Sequence, residues 1–244
     1  MWLPRYTLRG LLLFVTVISV LLAIVVPVYR TGGDQANKAQ CTSNLKIVVG
    51  ALEGYELCYG RLPPAFLADE SGKPIHSWRV LVLPFLGRKD LYDKYDFNEP
   101  WDGPNNRLLS KDIPSEYRCP KIRNANKFAT SYVAVIGPRT LWRGARGVSR
   151  KELADQWHET ILLMEIAESD IHWMEPRDIS TDFVIRQLGE KVVDRKPSIV
   201  SHGGIRCISL TSNLYRLPQD CPPDVIMSLL RTDDGTAKGV WNYR

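Results

Sequence analysis

The chain has 244 residues, 44% of them apolar and 24% charged, and after its apolar N-terminal stretch and the continuation of that stretch about 180 remain, enough for one domain with a sizeable core. Its formal charge of +5 comes without a Lys/Arg run of five or a basic stripe interleaved with aromatics, which argues against nucleic-acid binding. No G-x-S-x-G, Walker loop, dinucleotide fingerprint or H-E-x-x-H occurs, so the enzyme classes that carry those signatures are unsupported.

Leu11 to Val28 reads LLLFVTVISVLLAIVVPV, eighteen residues with no charge and only Thr16 and Ser19 polar. At about 1.5 Å per residue, such a helix covers most of a hydrocarbon core of roughly 30 Å. The two hydroxyls can bond back to the helix itself. Arg5 and Arg9 precede the span with no acid beside them, which favours a cytoplasmic N-terminus. A cleaved signal peptide is the rival reading, but VVPVYR offers a poor cleavage site. Pro27 is expected to kink the helix, and Gly32-Gly33 to loosen it.

From Asp34, a reasonable N-cap, the pattern turns amphipathic. Ala36, Ala39, Leu45, Val48, Val49, Leu52 and Tyr55 follow helical spacing. This helix is expected to end near Tyr59, before Gly60 and Pro63-Pro64. Residues 1–30 thus form a cytoplasmic stub and membrane helix, and residues 31–244 one extracytoplasmic domain.

Gly60 to Pro74 reads as loop. In HSWRVLVLPFL (His76 to Leu86), Ser77 can cap a short buried helix, and Leu91, Tyr92 and Tyr95 suggest another. Asn98 to Asn106, NEPWDGPNN, is turn-dense, with Trp101 as a core anchor. Strand signals follow at Ser131 to Ile136, Thr160 to Ile166 and Ile205 to Leu210. The last lacks clean face alternation. Leu214, Tyr215 and Leu217 form its return partner across Thr211-Ser212-Asn213, where Asn213 can take positive φ. Pro222-Pro223 open a final helix through Leu230, ended by Asp233-Asp234-Gly235. Helices first and an antiparallel meander later make an α+β pattern.

The five cysteines are Cys41, Cys58, Cys119, Cys207 and Cys221. Cys41 and Cys58 lie on one helix roughly 25 Å apart, too far to bond. Cys207 with Cys221 is the first pair to test. Burial as small apolar residues is the alternative.

Several segments in order carry a family resemblance. They are the apolar helix, CTSNLK (Cys41 to Lys46), HSWRVLVLPFL, NEPWDGPNN, YRCP (Tyr117 to Pro120), SYVAVIG, TILLMEIAES, IHWMEPRD (Ile171 to Asp178) and SHGG (Ser201 to Gly204). Together they resemble the DUF1559 family, abundant in planctomycete bacteria and similar to type IV prepilins and type II secretion pseudopilins. The resemblance implies a pilin-like fold, a long N-terminal helix packed on an antiparallel sheet, and supplies no established activity. Two departures stand out. Arg5 and Gly10 replace the glycine and glutamate of the prepilin signature, residues used in processing and in filament assembly. After His202 and nine intervening residues come Ser212 and Asn213, where the family often has Asp-Gly.

His172, Glu175 and Asp178, with Glu165 and Glu168 nearby, are weak metal candidates, since carboxylate plus imidazole binds divalent cations. A structural cation such as calcium is the ion they would take, and a loop with internal salt links through Arg177 is the plainer reading. His158-Glu159 reads as exposed loop rather than a base–acid pair. Ser201 and His202, adjacent on a strand, point to opposite faces. Arg139, Arg143 and Arg146 among Gly137, Gly144 and Gly147 suggest a polar loop, or a small-anion site. No catalytic or cofactor-binding residue is assigned.

These readings converge on a single-pass protein of the inner membrane, non-enzymatic, anchored in lipid through Leu11 to Val28 and free to meet envelope or pilin-like partners. The alternative is a ligand-binding or sensory module, with Trp78, Trp101, Trp142 and Trp173 stacking on sugars. An enzyme is the third possibility and would need a constellation assembled only by folding.

Overall fold

The structure, a computed structural model, describes residues 8–122, 126–153, 157–189, 197–201 and 203–232. One helix, α1 (Leu8–Tyr59), runs for 52 residues, about 78 Å at 1.5 Å per residue. Its two halves have opposite surroundings. Leu12 to Val26 are exposed throughout. Thr16 donates to the Leu13 carbonyl at 2.9 Å and Ser19 to that of Val15 at 2.8 Å, so neither hydroxyl competes with an apolar environment. With a mean hydropathy of 2.8, the segment is long and apolar enough to cross a membrane.

The second half lays Cys41, Leu45, Val48, Val49 and Leu52, all fully buried, onto the domain. Each buried Leu or Val of this stripe contributes roughly 1.5–3 kcal/mol. Gly32-Gly33 do not interrupt α1, and the helix continues through Pro27. A glycine costs a helix only about 1 kcal/mol, which a run this long absorbs. Asp34 is accordingly not an N-cap; it lies 3.6 Å from Lys121. Gly60, at φ +71°, ends the helix as a left-handed residue, its amide bonded to the Glu56 carbonyl at 2.7 Å.

The segment expected as loop instead begins with a hairpin. Strands β1 (Phe66–Ala68) and β2 (Pro74–Ser77) pair antiparallel. Their turn is built by Asp69, whose Oδ1 accepts from the amides of Ser71 and Lys73. Ser77 caps α2 (Trp78–Leu81) as its sequence suggested, accepting from the Arg79 amide at 3.2 Å. Helix α3 (Lys89–Tyr92) follows.

The main sheet contains β3 (Tyr132–Val133), β5 (Ile161–Glu165), β7 (Val200–Ser201), β8 (Gly204–Ser209) and β9 (Leu214–Leu217). The order is β3-β5-β8, with β7 and β9 both paired to β8, and every pairing is antiparallel. A second, two-stranded piece joins β4 (Val135–Ile136) to β6 (Ile179–Ser180) in parallel, so the meander describes only the main sheet. The fold is α+β and pilin-like, a long N-terminal helix against an antiparallel sheet.

Two cores flank that sheet. One holds the α1 stripe with Trp78, Tyr132, Leu162, Leu163, Ile208 and Leu210. The other holds Ile161, Met164, Ile205 and Cys207 beneath α4 (Thr181–Gly189) and α5 (Pro223–Leu230). All six residues of β8 are buried, which explains its missing alternation: both faces are covered. A register shift between Ile161 and Leu163 lets consecutive Leu162 and Leu163 both serve the α1 side. Helix α4 was not anticipated, although Ser180 Oγ accepts from the Phe183 amide in N-cap fashion. At the β8–β9 turn the positive φ belongs to Ser212, at +61°, not to Asn213. Asp233-Asp234-Gly235 lie outside the described residues.

Candidate functional site

Several long-range bonds of the described residues meet at the junction where α1 joins the domain. Cys41 of α1 is disulfide-bonded to Cys119. One turn on, Asn44 Nδ2 donates to the carbonyls of Arg118 at 2.7 Å and Ser115 at 3.2 Å. From the sheet, the Tyr132 hydroxyl donates to the Cys41 carbonyl at 3.0 Å. Near the far end of α1, Arg150 grips the Glu56 carboxylate with two bonds of 2.6 and 2.8 Å. The helix is thereby held at both ends of its buried half.

This pairing corrects the expectation for the cysteines. Cys207 and Cys221 are buried free thiols, and Cys58 is exposed and free. Burial pushes the Cys207 and Cys221 thiols up, keeping both protonated. Spacing alone could not reveal the Cys41–Cys119 bond, because 78 residues separate the pair and only folding brings them together.

Behind the junction lies a buried ionic group. Glu165 accepts from Arg206 at 3.0 Å and from the Ser201 hydroxyl. Arg206 also donates to Thr42 of α1 at 2.8 Å. Burial raises the Glu165 carboxyl, opposed by Arg206 and Ser201. Cys41, Cys119 and Glu165 place possible ligand atoms within 4.8 Å of one another, but two of these atoms are consumed by the disulfide.

A second buried pair explains two of the motifs. Arg79 of HSWR and Asp178 of MEPRD meet at 2.6 Å, with their side chains 0% and 1% exposed. Asp178 also accepts from the Trp78 indole at 3.0 Å and the Ala134 amide at 2.7 Å. Arg79 donates further to the Tyr132 carbonyl. Burial pushes the Asp178 carboxyl up, and its three donors, Arg79, Ala134 and Trp78, oppose it. NEPWDGPNN is likewise a bonded unit. The Glu99 carboxylate accepts from the Asn106 amide at 2.6 Å, and the buried Asn106 side chain donates to the carbonyls of Asp96 and Pro100. A Cβ on Gly103 would fall 2.6 Å from Cδ of Glu99, hence the glycine.

Of the predicted metal candidates, His172 and Glu175 meet through the His172 amide, which donates to Glu175 Oε2 at 3.2 Å, and the side chains have other partners. Asp178 belongs to Arg79. Glu175 pairs with Arg177 at 2.6 Å. His172 Nε2 donates to the Ser110 carbonyl at 3.1 Å, and its Nδ1 accepts from the Met174 amide at 3.2 Å. Both ring nitrogens are therefore engaged in a neutral tautomer, and burial lowers the imidazole pKa. The three do not form a cluster of ligand atoms within 4.8 Å; among the described residues only the cysteine–glutamate group does. The salt links through Arg177 are present, to both Glu175 and Asp170.

Other candidates resolve similarly. Arg143 and Arg146 both face Glu152. Ser201 serves Glu165, and His202 lies outside the described residues. Trp78, Trp142 and Trp173 are fully buried, so they offer no platform for a sugar. Trp101 is half-buried and stacks on His172 with centroids 5.3 Å apart. The prepilin-signature positions Arg5 to Thr7 lie outside the described residues.

A bare apolar rod bonded to a closed α+β body defines a pilin-like, helix-tethered architecture. Residues 34–161, just over half of the chain, match the family described as "Protein of unknown function (DUF1559)", and the chain belongs to that family. No curated protein and no solved structure matches it.

Proposed function

We propose that this chain is a membrane-anchored, pilin-like or pseudopilin-like structural and interaction protein of the bacterial envelope, with no turnover of its own. The observation that carries the reading is the division of α1. Its first part, Leu12 to Val26, is apolar and exposed, while its second part is buried in the domain and covalently fastened there. A soluble protein has no use for fifteen consecutive exposed residues of this kind; a bilayer covers them.

Orientation follows from two further features. Arg5 and Arg9 before the span favour an N-terminus in the cytoplasm. The disulfide favours a body on the oxidising, extracytoplasmic side of the inner membrane. Without the glutamate of the prepilin signature, we assign the work to display, scaffolding or partner binding rather than to filament building. Fractionation of tagged protein after a carbonate wash tests the anchor. Retention in the membrane pellet is expected, and release into the soluble fraction overturns the reading.

A further inference from the structure

Helix α1 closes on two large side chains that the domain leaves uncovered. Leu57 is 83% and Tyr59 60% exposed, at the end of the helix farthest from its apolar run, about 46 Å past Val28 at 1.5 Å per residue. Tyr59 continues into the half-buried rings of Tyr55 and Phe85, so the exposure is a patch and not a single side chain. The Tyr59 ring is also held in place. Its centroid lies 4.4 Å from that of Tyr55 and 6.4 Å from that of Phe85, and Tyr55 meets Phe85 edge-on at 5.9 Å. Gly54 admits Phe85 to this cluster, since a Cβ there would stand 3.0 Å from Phe85 Cδ1. A ring supported in advance costs less to order when a ligand arrives.

Beside the rings lies a cavity of about 610 Å³, within the roughly 300–1,000 Å³ of small-molecule sites. Leu57, Tyr59 and Arg61 line it from α1 and its exit, and Ser149 and Lys151 from the facing segment. The two sides are bonded together. The Leu62 amide donates to the Val148 carbonyl at 2.9 Å, and the Ala65 amide to that of Gly144 at 2.8 Å. Glu56 also lines the cavity, its carboxylate held by Arg150 at 2.6 and 2.8 Å. The Ser149 amide and hydroxyl donate to Glu152 at 3.4 and 3.2 Å, which fixes the turn that carries Lys151. The Arg61 stem passes over Gly147, where a Cβ would stand 3.4 Å from Arg61 Cδ. Burial raises the Tyr55 hydroxyl pKa and the Arg61 guanidinium counters it, so Arg61 is within electrostatic reach of the same rings.

We propose that this cavity binds an acidic saccharide, a sugar ring that bears a carboxylate. The Tyr59 ring offers a flat apolar face to the C–H side of a pyranose and a hydroxyl at its edge. Leu57 extends that apolar surface. Arg61 presents a planar fork that matches a carboxylate, and Lys151 adds a second positive charge. A bare anion would use the cations and leave the ring and Leu57 idle; a neutral sugar would do the reverse.

Full-length protein in a polyoxyethylene detergent, which carries no sugar, titrated calorimetrically with trigalacturonate at fixed ionic strength, tests the proposal. We expect one saturable site, at least tenfold weaker in Tyr59→Ala and in Arg61→Gln, both exposed positions. Tyr59→Phe keeps the ring and should bind as the parent does, as should Lys111→Gln, which alters an exposed lysine outside the cavity. Maltotriose keeps sugar rings without carboxylates, and triglutamate keeps carboxylates without sugar rings; each should bind at least tenfold more weakly than trigalacturonate. Absence of saturable binding, parent-like binding by Tyr59→Ala, or a match to trigalacturonate by either control overturns the proposal. No bilayer enters this titration, so its failure is separate from failure of the membrane reading.

Discussion

Arg79 and Asp178 are joined by two prongs within the domain, with Nη2 2.6 Å from Oδ1 and Nη1 3.3 Å from Oδ2. Neither charge reaches solvent. Removing one partner strands the other, which costs about 3–5 kcal/mol for buried pairs. Asp178→Asn and Arg79→Met are each expected to lower stability by that amount in urea denaturation of the full chain. The double variant should lose less than the sum, because the stranded charge is gone.

The disulfide closes a loop across 78 positions, for which chain entropy predicts about 4.5 kcal/mol. Cys41→Ser should therefore destabilise by up to that figure. Alkylation in denaturant without reductant should label three cysteines, Cys58, Cys207 and Cys221, and five after reduction. Alkylation of the native protein should label Cys58 first. Mass spectrometry reads all three states.

One buried and one half-buried histidine, His76 and His172, set an acid limit. His76 Nε2 donates to the Phe97 carbonyl at 3.1 Å, and its Nδ1 accepts from the Tyr95 hydroxyl at 2.9 Å. Burial lowers the imidazole pKa at both His76 and His172 below the ordinary 6.5. Below that pH the unfolded chain binds protons that the folded chain refuses, so stability falls as pH falls. Thermal midpoints measured from pH 7.5 down to 5 should decline, with the loss starting near 6.5. His172→Gln should flatten part of that decline.

Gly147 packs against the chain at Leu62, where a Cβ would overlap the Leu62 carbonyl oxygen. Leu62 also donates to the Val148 carbonyl at 2.9 Å, so the two segments cannot separate freely. Gly147→Ala is expected to cost about 1–3 kcal/mol in the same urea assay, whereas Gly50→Ala, with open space around it, should not destabilise.

Much of this was legible from local pattern. The apolar run, the α1 stripe through Leu45 and Leu52, the Ser77 cap and the strands around Leu163 and Cys207 all announce themselves through periodicity or composition. The β1–β2 hairpin was not, because strands of three and four residues give little alternation; the Asp69–Gly72 turn was its available signal. Helix α4 could have been found from Ser180 followed by Asp182 in the first turn. The site was less readable. Arg79 and Asp178 sit in separate motifs, and nothing local says that they pair. His172 and Asp178 looked like ligands because sequence proximity suggested a cluster, yet the backbone sends them to different partners.

The central claim is that α1 crosses the bilayer and leaves the domain outside the cytoplasm. Cys58, exposed near the outer end of α1, reports on this directly. In spheroplasts expressing the full chain, a membrane-impermeant maleimide should label Cys58 without lysis, and Cys58→Ser should abolish the signal. Labelling that appears only after lysis would place the domain in the cytoplasm and contradict the account.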